Sequence, residues 1–68
     1  MNERTLTVLV RLRQVAECDV GNGWSHVYLD NARCGMNDKI FRAALSQLAK
    51  EGFYKVIDGW AWGSVKMA

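Results

Sequence analysis

The sequence predicts a small α+β domain with three helices, one short strand and a C-terminal β-hairpin. Two observations support this prediction. Apolar residues recur at helical spacing between residues 38 and 50, and Asp58-Gly59 separates two apolar runs as a hairpin turn does. The chain has 68 residues, of which 50% are hydrophobic and 24% charged. This composition is globular, and the length suits a single domain over residues 1–68.

The first segment of the chain fits a helix, and a strand is the alternative for residues 5–13. Five residues share one helical face: Thr5, Val8, Leu9, Leu12 and Ala16. Asn2 precedes this face and has a side chain suited to cap a helix. Alternating apolar and β-branched residues across 6–12 favour a strand instead. We predict a helix, because residues 11–16 favour one and the downstream pattern requires it.

Residues 18–25 are predicted to form a loop or turn, because they contain a Gly-Asn-Gly motif. Residues 26–29 follow as a short strand candidate. His26 lies in this apolar stretch, and we interpret it as a structural or surface histidine. Nothing in this region predicts a second strand, so the sheet is expected to contain one short strand besides the hairpin.

A short helix and a tight turn are predicted next, over residues 30–36. Asp30 is placed to cap a helix that runs to Cys34. Gly35 can adopt the left-handed conformation that ends a helix, because it has no Cβ to clash with the backbone. Met36 is then expected to point inward.

The clearest amphipathic pattern lies between Asn37 and Gly52. Four apolar residues at i, i+3, i+4 and i+7 define one stripe: Phe41, Ala44, Leu45 and Leu48. Asn37 is a good N-cap, and Asp38 complements the positive end of the helix. Gly52 ends the helix, with Lys50 in its last turn near the free carbonyl groups.

Asp58-Gly59 predicts a two-residue type I′ turn, which fixes the register of the C-terminal hairpin. That register creates three cross-strand pairs: Ile57 with Trp60, Lys55 with Trp62, and Phe53 with Ser64. Lys55 over Trp62 would form a cation–π pair. The face expected to pack on the helices has five members: Tyr54, Val56, Ala61, Gly63 and Val65. The outward face carries the predicted partner-binding residues: Lys55, Ile57, Trp60, Trp62 and Lys66. The alternative is that both indoles fold onto the core.

Three stretches of this sequence carry a family resemblance: residues 34–37, the helix segments 41–45 and 48–53, and the hairpin of residues 54–67. With the order helix, strand, short helix, turn, helix and hairpin, they resemble the winged helix-turn-helix family. The resemblance covers residues 26–67, and more loosely the whole chain. It implies three helices, a β-hairpin wing and a short extra strand.

The resemblance also implies that residues 38–50 form a DNA recognition helix. Its predicted DNA-binding residues are Asn37, Lys39, Arg42, Ala43, Ser46, Gln47 and Lys50. Arginine reads guanine edges, glutamine reads adenine, and lysine and serine bind phosphate. Arg42 is the first candidate for a base or phosphate contact. The alternative is that these side chains form an ordinary solvated helix face.

Charge and the hairpin tip leave two classes of function. Nine basic and seven acidic residues give a net charge of +2, which permits nucleic-acid binding without demanding it. The first function is double-stranded DNA binding by a homodimeric transcriptional regulator of a phage- or plasmid-type element. The alternative is a winged-helix protein-interaction module, or a small phage-type inhibitor, that binds a host protein. The acidic and aromatic tip around Asp58 and Trp60 favours this alternative.

Other functions lack support in the sequence. The chain has one histidine, no paired carboxylates at a catalytic spacing and no glycine-rich phosphate loop, so we expect a non-enzyme. Cys18 and Cys34 are read as reduced thiols, and their spacing fits no compact zinc motif, so no metal or cofactor is expected. No apolar run reaches the length of a membrane span or forms a signal peptide, and we expect a cytoplasmic protein.

Overall fold

Three helices and one four-stranded sheet make up the computed structural model, which describes residues 1–59 and 61–67. In chain order the elements are α1 (Glu3–Val15), β1 (Cys18–Gly21), β2 (Trp24–Tyr28), α2 (Leu29–Arg33), α3 (Asp38–Lys50), β3 (Tyr54–Asp58) and β4 (Trp62–Lys66). The sheet is antiparallel throughout, with the strand order β1-β2-β4-β3. The predicted α+β class, its three helices and its C-terminal hairpin are confirmed over this part of the chain.

The first segment is a helix, as predicted, and Asn2 is its cap. The Asn2 Oδ1 atom accepts a hydrogen bond from the Thr5 backbone N–H at 2.8 Å. The buried stripe of α1 is Thr5, Val8, Leu9 and Leu12. This stripe packs against α3 and against the sheet at β2 and β4. This segment forms a helix rather than a strand because one helical stripe packs in the core, whereas Leu6 and Val10 of the alternating pattern stay exposed.

The prediction of a loop across residues 18–25 is wrong, because this region is a β-hairpin. β1 pairs with β2, and the connecting turn is formed by Asn22 and Gly23, which both have positive φ angles of 57° and 79°. An Asn-Gly pair provides the backbone that tight hairpin turns need. β2 also begins two residues earlier than the predicted strand, at Trp24.

The short helix α2 forms, but Asp30 does not cap it. Its N-cap is Tyr28, which makes no capping hydrogen bond through its side chain. The Asp30 carboxylate instead pairs with Arg33, within the same helix. After α2, Cys34 and Gly35 both adopt positive φ angles, and Met36 packs against the core as predicted.

The prediction for α3 is confirmed at both its cap and its stripe. Asn37 Oδ1 accepts hydrogen bonds from the backbone N–H groups of Lys39 (2.9 Å) and Ile40 (3.4 Å). The buried residues are the four that the periodicity predicts: Phe41, Ala44, Leu45 and Leu48. Leu48 has no exposed surface, which places it at the centre of the core.

β4 is a central strand, paired with β2 on one side and β3 on the other. Val65 of β4 and Val27 of β2 are completely buried, and they lie on the face of the sheet that carries the helices. Tyr54 of β3 packs its ring over Gly63, where any Cβ atom would overlap that ring. The core therefore lies between the three helices and one face of the sheet.

The predicted two-residue turn and its register are wrong. Asp58 pairs with Trp62, and the Ala61 N–H donates to the Asp58 carbonyl oxygen at 2.9 Å, so the turn is longer than two residues. Lys55 lies opposite Ser64, not opposite Trp62, and a bulge falls between Val56 and Asp58. The Phe53–Ser64 pair is absent for the same reason. The longer turn and the bulge shift the register, and an Asp-Gly pair in the sequence does not distinguish a two-residue turn from a longer one.

Candidate functional site

The predicted DNA-binding residues lie together on what we term the α3 outer face: Asn37, Lys39, Arg42, Ala43, Ser46, Gln47 and Lys50. All seven are exposed. A helix advances by about 100° per residue, so the six members within α3 lie on the side opposite the buried stripe. Asn37 precedes the helix as its N-cap, and its side chain accepts the capping hydrogen bonds. The α3 outer face is therefore a continuous solvent-facing surface, held in place by the packing of the opposite side of the same helix.

Acidic side chains modify the charge of the α3 outer face. Arg42 Nε lies 3.5 Å from Asp38 Oδ2, and Arg33 Nη1 donates to Asp38 Oδ1 at 2.6 Å. Arg33 also pairs with Asp30, and this hydrogen bond is the main reason that its pKa is raised. Exposed pairs of this kind contribute little to stability, because water screens the attraction. Their effect is to reduce the positive charge at the N-terminal end of α3.

The other end of α3 also carries an acidic side chain. Gln47 Nε2 donates a hydrogen bond to Glu51 Oε2 at 2.9 Å. Lys50 is exposed one residue before Glu51. The α3 outer face thus has cations along its length, with Asp38 at one end and Glu51 at the other.

A groove of about 410 Å³ separates α3 from β3. It is lined by Arg42, Leu45, Ser46, Ala49, Tyr54, Val56 and Gly59. Val56 was predicted to pack on the helices, and this prediction is wrong, because its side chain is 66% exposed. Val56 points to the same side as Tyr54, but the groove separates it from α3, so no helical side chain covers it. Tyr54, Gly63 and Val65 are buried on this side as predicted.

A second exposed surface is the outer sheet face, on the side of the sheet away from the helices. It comprises Trp24, His26, Tyr28, Lys55, Trp62 and Lys66. The strand register aligns them, since Trp24 pairs with Lys66, His26 with Ser64, Tyr28 with Trp62, and Lys55 with Ser64. The predicted outward orientation of Lys55, Trp62 and Lys66 is confirmed by this register and by the burial of Val65 on the opposite side.

The aromatic contacts on the outer sheet face differ from those predicted. Lys55 Nζ lies 4.3 Å from the centre of the Trp24 ring, so the predicted cation–π pair with Trp62 is wrong. Trp62 contacts Tyr28 instead, with ring centres 5.2 Å apart and planes inclined at 52°. Ser64 at the middle of this face is only 6% exposed, although no helix covers it. The neighbouring side chains therefore form a packed layer over the strand backbone.

The two remaining predicted partner-binding residues are Ile57 and Trp60. Ile57 is 47% exposed and sits at the bulge of β3. Trp60 falls outside the residues that the structure describes.

The sequence interpretation missed Trp24, His26 and Tyr28 as members of an exposed surface. The signal was present, because residues 24–28 alternate between polar or aromatic side chains and small or apolar ones. Their burial alternates in the same way, with Ser25 and Val27 buried and the other three partly exposed. The Gly-Asn-Gly motif of residues 21–23 predicts a loop that extends to residue 25. That prediction cuts through the alternating stretch, so the strand pattern of residues 24–28 is not recognised.

Comparison of this chain with protein-family models, with curated proteins and with solved structures finds no match. Within residues 1–59 and 61–67, no group of three or more metal-binding side chains comes together. Over the same ranges, no helix combines the length and the apolar character that a membrane crossing requires.

Proposed function

We propose that this protein binds double-stranded DNA through the α3 outer face, as a small winged-helix transcriptional regulator. The observation that carries the proposal is the alignment of Lys39, Arg42 and Lys50 on one exposed side of a single helix. An α-helix is the element that fits the major groove of B-form DNA. Arginine and glutamine on such a helix can read bases, while lysine and serine neutralise or contact phosphates.

The order of elements supports the winged-helix part of the proposal. A strand, a short helix, a tight turn, an amphipathic helix and a hairpin follow one another from β2 to β4. This is the order on which the resemblance rests, with β1 added at the sheet edge. In this arrangement α3 is the recognition helix and the β3–β4 hairpin is the wing beside it.

Asp38 limits the affinity in this proposal. Its carboxylate contacts Arg42 at 3.5 Å and lies on the same end of α3 that would approach phosphates. A phosphate must compete with this carboxylate for the guanidinium group, since both are acceptors for charged hydrogen bonds. Because the net charge is only +2, we expect one copy to bind weakly, and two copies on one duplex to bind more tightly.

Fluorescence anisotropy with a labelled random duplex tests the proposal at a salt concentration of about 50 mM, where phosphate contacts are favoured. Arg42→Ala should weaken binding by roughly 5- to 100-fold, the range expected for loss of a base contact. Lys50→Ala should weaken binding mildly and equally for all sequences, and should reduce the salt slope by about 1. Asp38→Asn should strengthen binding, because it removes the competing carboxylate.

The matched control is Lys55→Ala, which removes one positive charge from the opposite side of the molecule. It should bind duplex almost as the parent does. Absence of duplex binding by the parent protein at low salt, or equal losses for Arg42→Ala and Lys55→Ala, would show that the α3 outer face is not the duplex-binding surface.

A protein-interaction module is the second candidate, and the free edge of β3 favours it. Val56 and Ile57 expose apolar side chains there, and an unpaired strand edge can accept another strand. The partner that fits is a second copy of this chain. An antiparallel register with Val56 opposite Ile57 also sets Lys55 opposite Asp58, so the charges match. Light scattering should then show a dimer that Ile57→Lys converts to monomer, and a parent monomer at about 100 µM would exclude this candidate.

A further inference from the structure

The outer sheet face combines aromatic rings with cations on a surface that no helix covers. Trp24, Tyr28 and Trp62 are partly exposed, whereas a solvent-facing side of an antiparallel sheet usually carries polar side chains. Lys55 and Lys66 both flank Trp24, one over its ring and the other as its cross-strand partner. This composition is not needed to hold the core, which lies on the other side of the sheet.

The charges on the outer sheet face are separated along its length. Two cations lie at the Trp24 end, Lys55 over its ring and Lys66 opposite it on β4. Two carboxylates lie at the other end. The Tyr28 hydroxyl group donates to Asp30 at 3.4 Å, and Asp58 is the cross-strand partner of Trp62. A ligand with negative charge is therefore favoured at the Trp24 end.

We infer that the outer sheet face binds single-stranded nucleic acid, with bases stacked on its aromatic rings and phosphates held by Lys55 and Lys66. Stacking on aromatic side chains beside a positively charged path is the common means of binding single strands. Trp24 and Tyr28 are four residues apart on β2, or about 13 Å at the usual rise of a strand. Two stacking positions at that separation suit bases of one strand that are several nucleotides apart.

A second copy of this chain is the competing occupant of the outer sheet face. Packed face to face in an antiparallel arrangement, two copies would set Lys55 and Lys66 of one copy near Asp30 and Asp58 of the other. A single strand offers one phosphate for each nucleotide and a flat base for each ring. The inference does not depend on duplex binding by the α3 outer face, because it uses other residues.

Anisotropy of a fluorescein-labelled oligo(dT) of about 12 nucleotides tests the inference at about 50 mM salt. The parent protein should bind it. Lys55→Gln should weaken binding several-fold and reduce the salt slope by about 0.7, the value for one phosphate contact on a single strand. Trp24→Ala should weaken binding by about tenfold or more, in keeping with the loss of one stacked base. Asp58→Asn should strengthen binding.

The matched control is Arg4→Gln, which removes one positive charge from the exposed side of α1, outside both faces, and should leave oligo(dT) binding unchanged. Lys55 is exposed, so the Lys55→Gln variant should fold. It therefore tests the inference even if Trp24→Ala does not fold. Two results would overturn the inference: no oligo(dT) binding by the parent, or equal losses for Lys55→Gln and Arg4→Gln. If the parent does not bind oligo(dT) and Lys55→Gln lowers the particle mass, the outer sheet face is a self-association surface. Duplex binding is measured separately, so either activity can fail alone.

Discussion

The α3 outer face and the outer sheet face are both uncovered, but they are built in different ways. The α3 outer face comes from 14 consecutive residues, 37–50, and its side chains are mostly polar and individually exposed. The outer sheet face comes from three strands, and it brings Trp24 beside Lys55 and Lys66, which are far away in the sequence. Its side chains pack closely enough to bury Ser64. A helix face is therefore determined locally, whereas a sheet face depends on the register of distant strands.

The two faces are coupled through one core, and Leu48→Ala is the strongest test of that coupling. Leu48 has no exposed surface and packs in the core cluster that also holds Val27 and Val65 of the sheet. We expect its replacement by alanine to lower the free energy of unfolding by about 2–5 kcal/mol. In a domain of this size, a loss of that order can abolish folding.

Thermal unfolding should be followed by far-UV circular dichroism for the helices and by tryptophan fluorescence for the sheet. Both signals should shift together, since one core supports both faces. Ser46→Ala on the exposed side of α3 is the control, and it should change stability by less than about 0.5 kcal/mol. Two separate transitions in Leu48→Ala would show that the helices and the sheet are independently stable.

Gly63→Ala is the second test, and it changes the packing of the sheet rather than that of the helices. The added methyl group would overlap the ring of Tyr54, which packs directly over Gly63. Overpacking of this kind costs about 1–3 kcal/mol. Denaturant unfolding of the single variants and of a double variant with Tyr54→Leu measures the contact. The cost of Gly63→Ala should shrink when the tyrosine ring is absent, and an unchanged cost would exclude the ring as its cause.

The helical half of this structure was predictable from local signals. Asn37 caps α3, Asn2 caps α1, and the stripe from Phe41 to Leu48 is buried, because caps and helical periodicity involve residues within one or two turns. The six residues of the α3 outer face that lie within the helix follow from that same periodicity. Their assignment to DNA stays a prediction.

The sheet half was only partly predictable, because its order depends on pairings between distant segments. β1 was missed, although Asn22-Gly23 is a strong hairpin signal. The predicted register at Asp58 is wrong because the turn is longer than two residues and a bulge lies between Val56 and Asp58. As a result Lys55 was assigned to the wrong tryptophan, and the aromatic residues of β2 were not recognised as part of a surface.

The smallest expected effect concerns the pKa of Tyr54. Burial raises the pKa of its hydroxyl group above the ordinary value of about 10, because the phenolate form loses solvation. The unfolded chain therefore releases this proton at lower pH than the folded chain. Stability from this group is complete below pH 10 and should fall as the pH rises through the folded pKa.

Denaturant unfolding between pH 9 and pH 11.5 can measure this fall against a Tyr54→Phe control. The parent should lose more stability than Tyr54→Phe over that interval, since the other titrating groups are the same in both proteins. Parallel curves would mean that the Tyr54 hydroxyl group titrates alike in the folded and unfolded chains.

The central position of β4 has a consequence for how the domain is made. Translation produces β2 and β3 before β4, yet β4 lies between them and pairs with both. Until residues 62–66 leave the ribosome, β2 and β3 each have an open inner edge, and the Val27 side of the core lacks Val65. Nascent chains therefore pass through a stage with two unsatisfied strand edges, the kind of surface that chaperones protect from aggregation. The sheet can close only after residues 62–66 have been synthesised. The outer sheet face takes residues from β2, β3 and β4, so it forms only after that point.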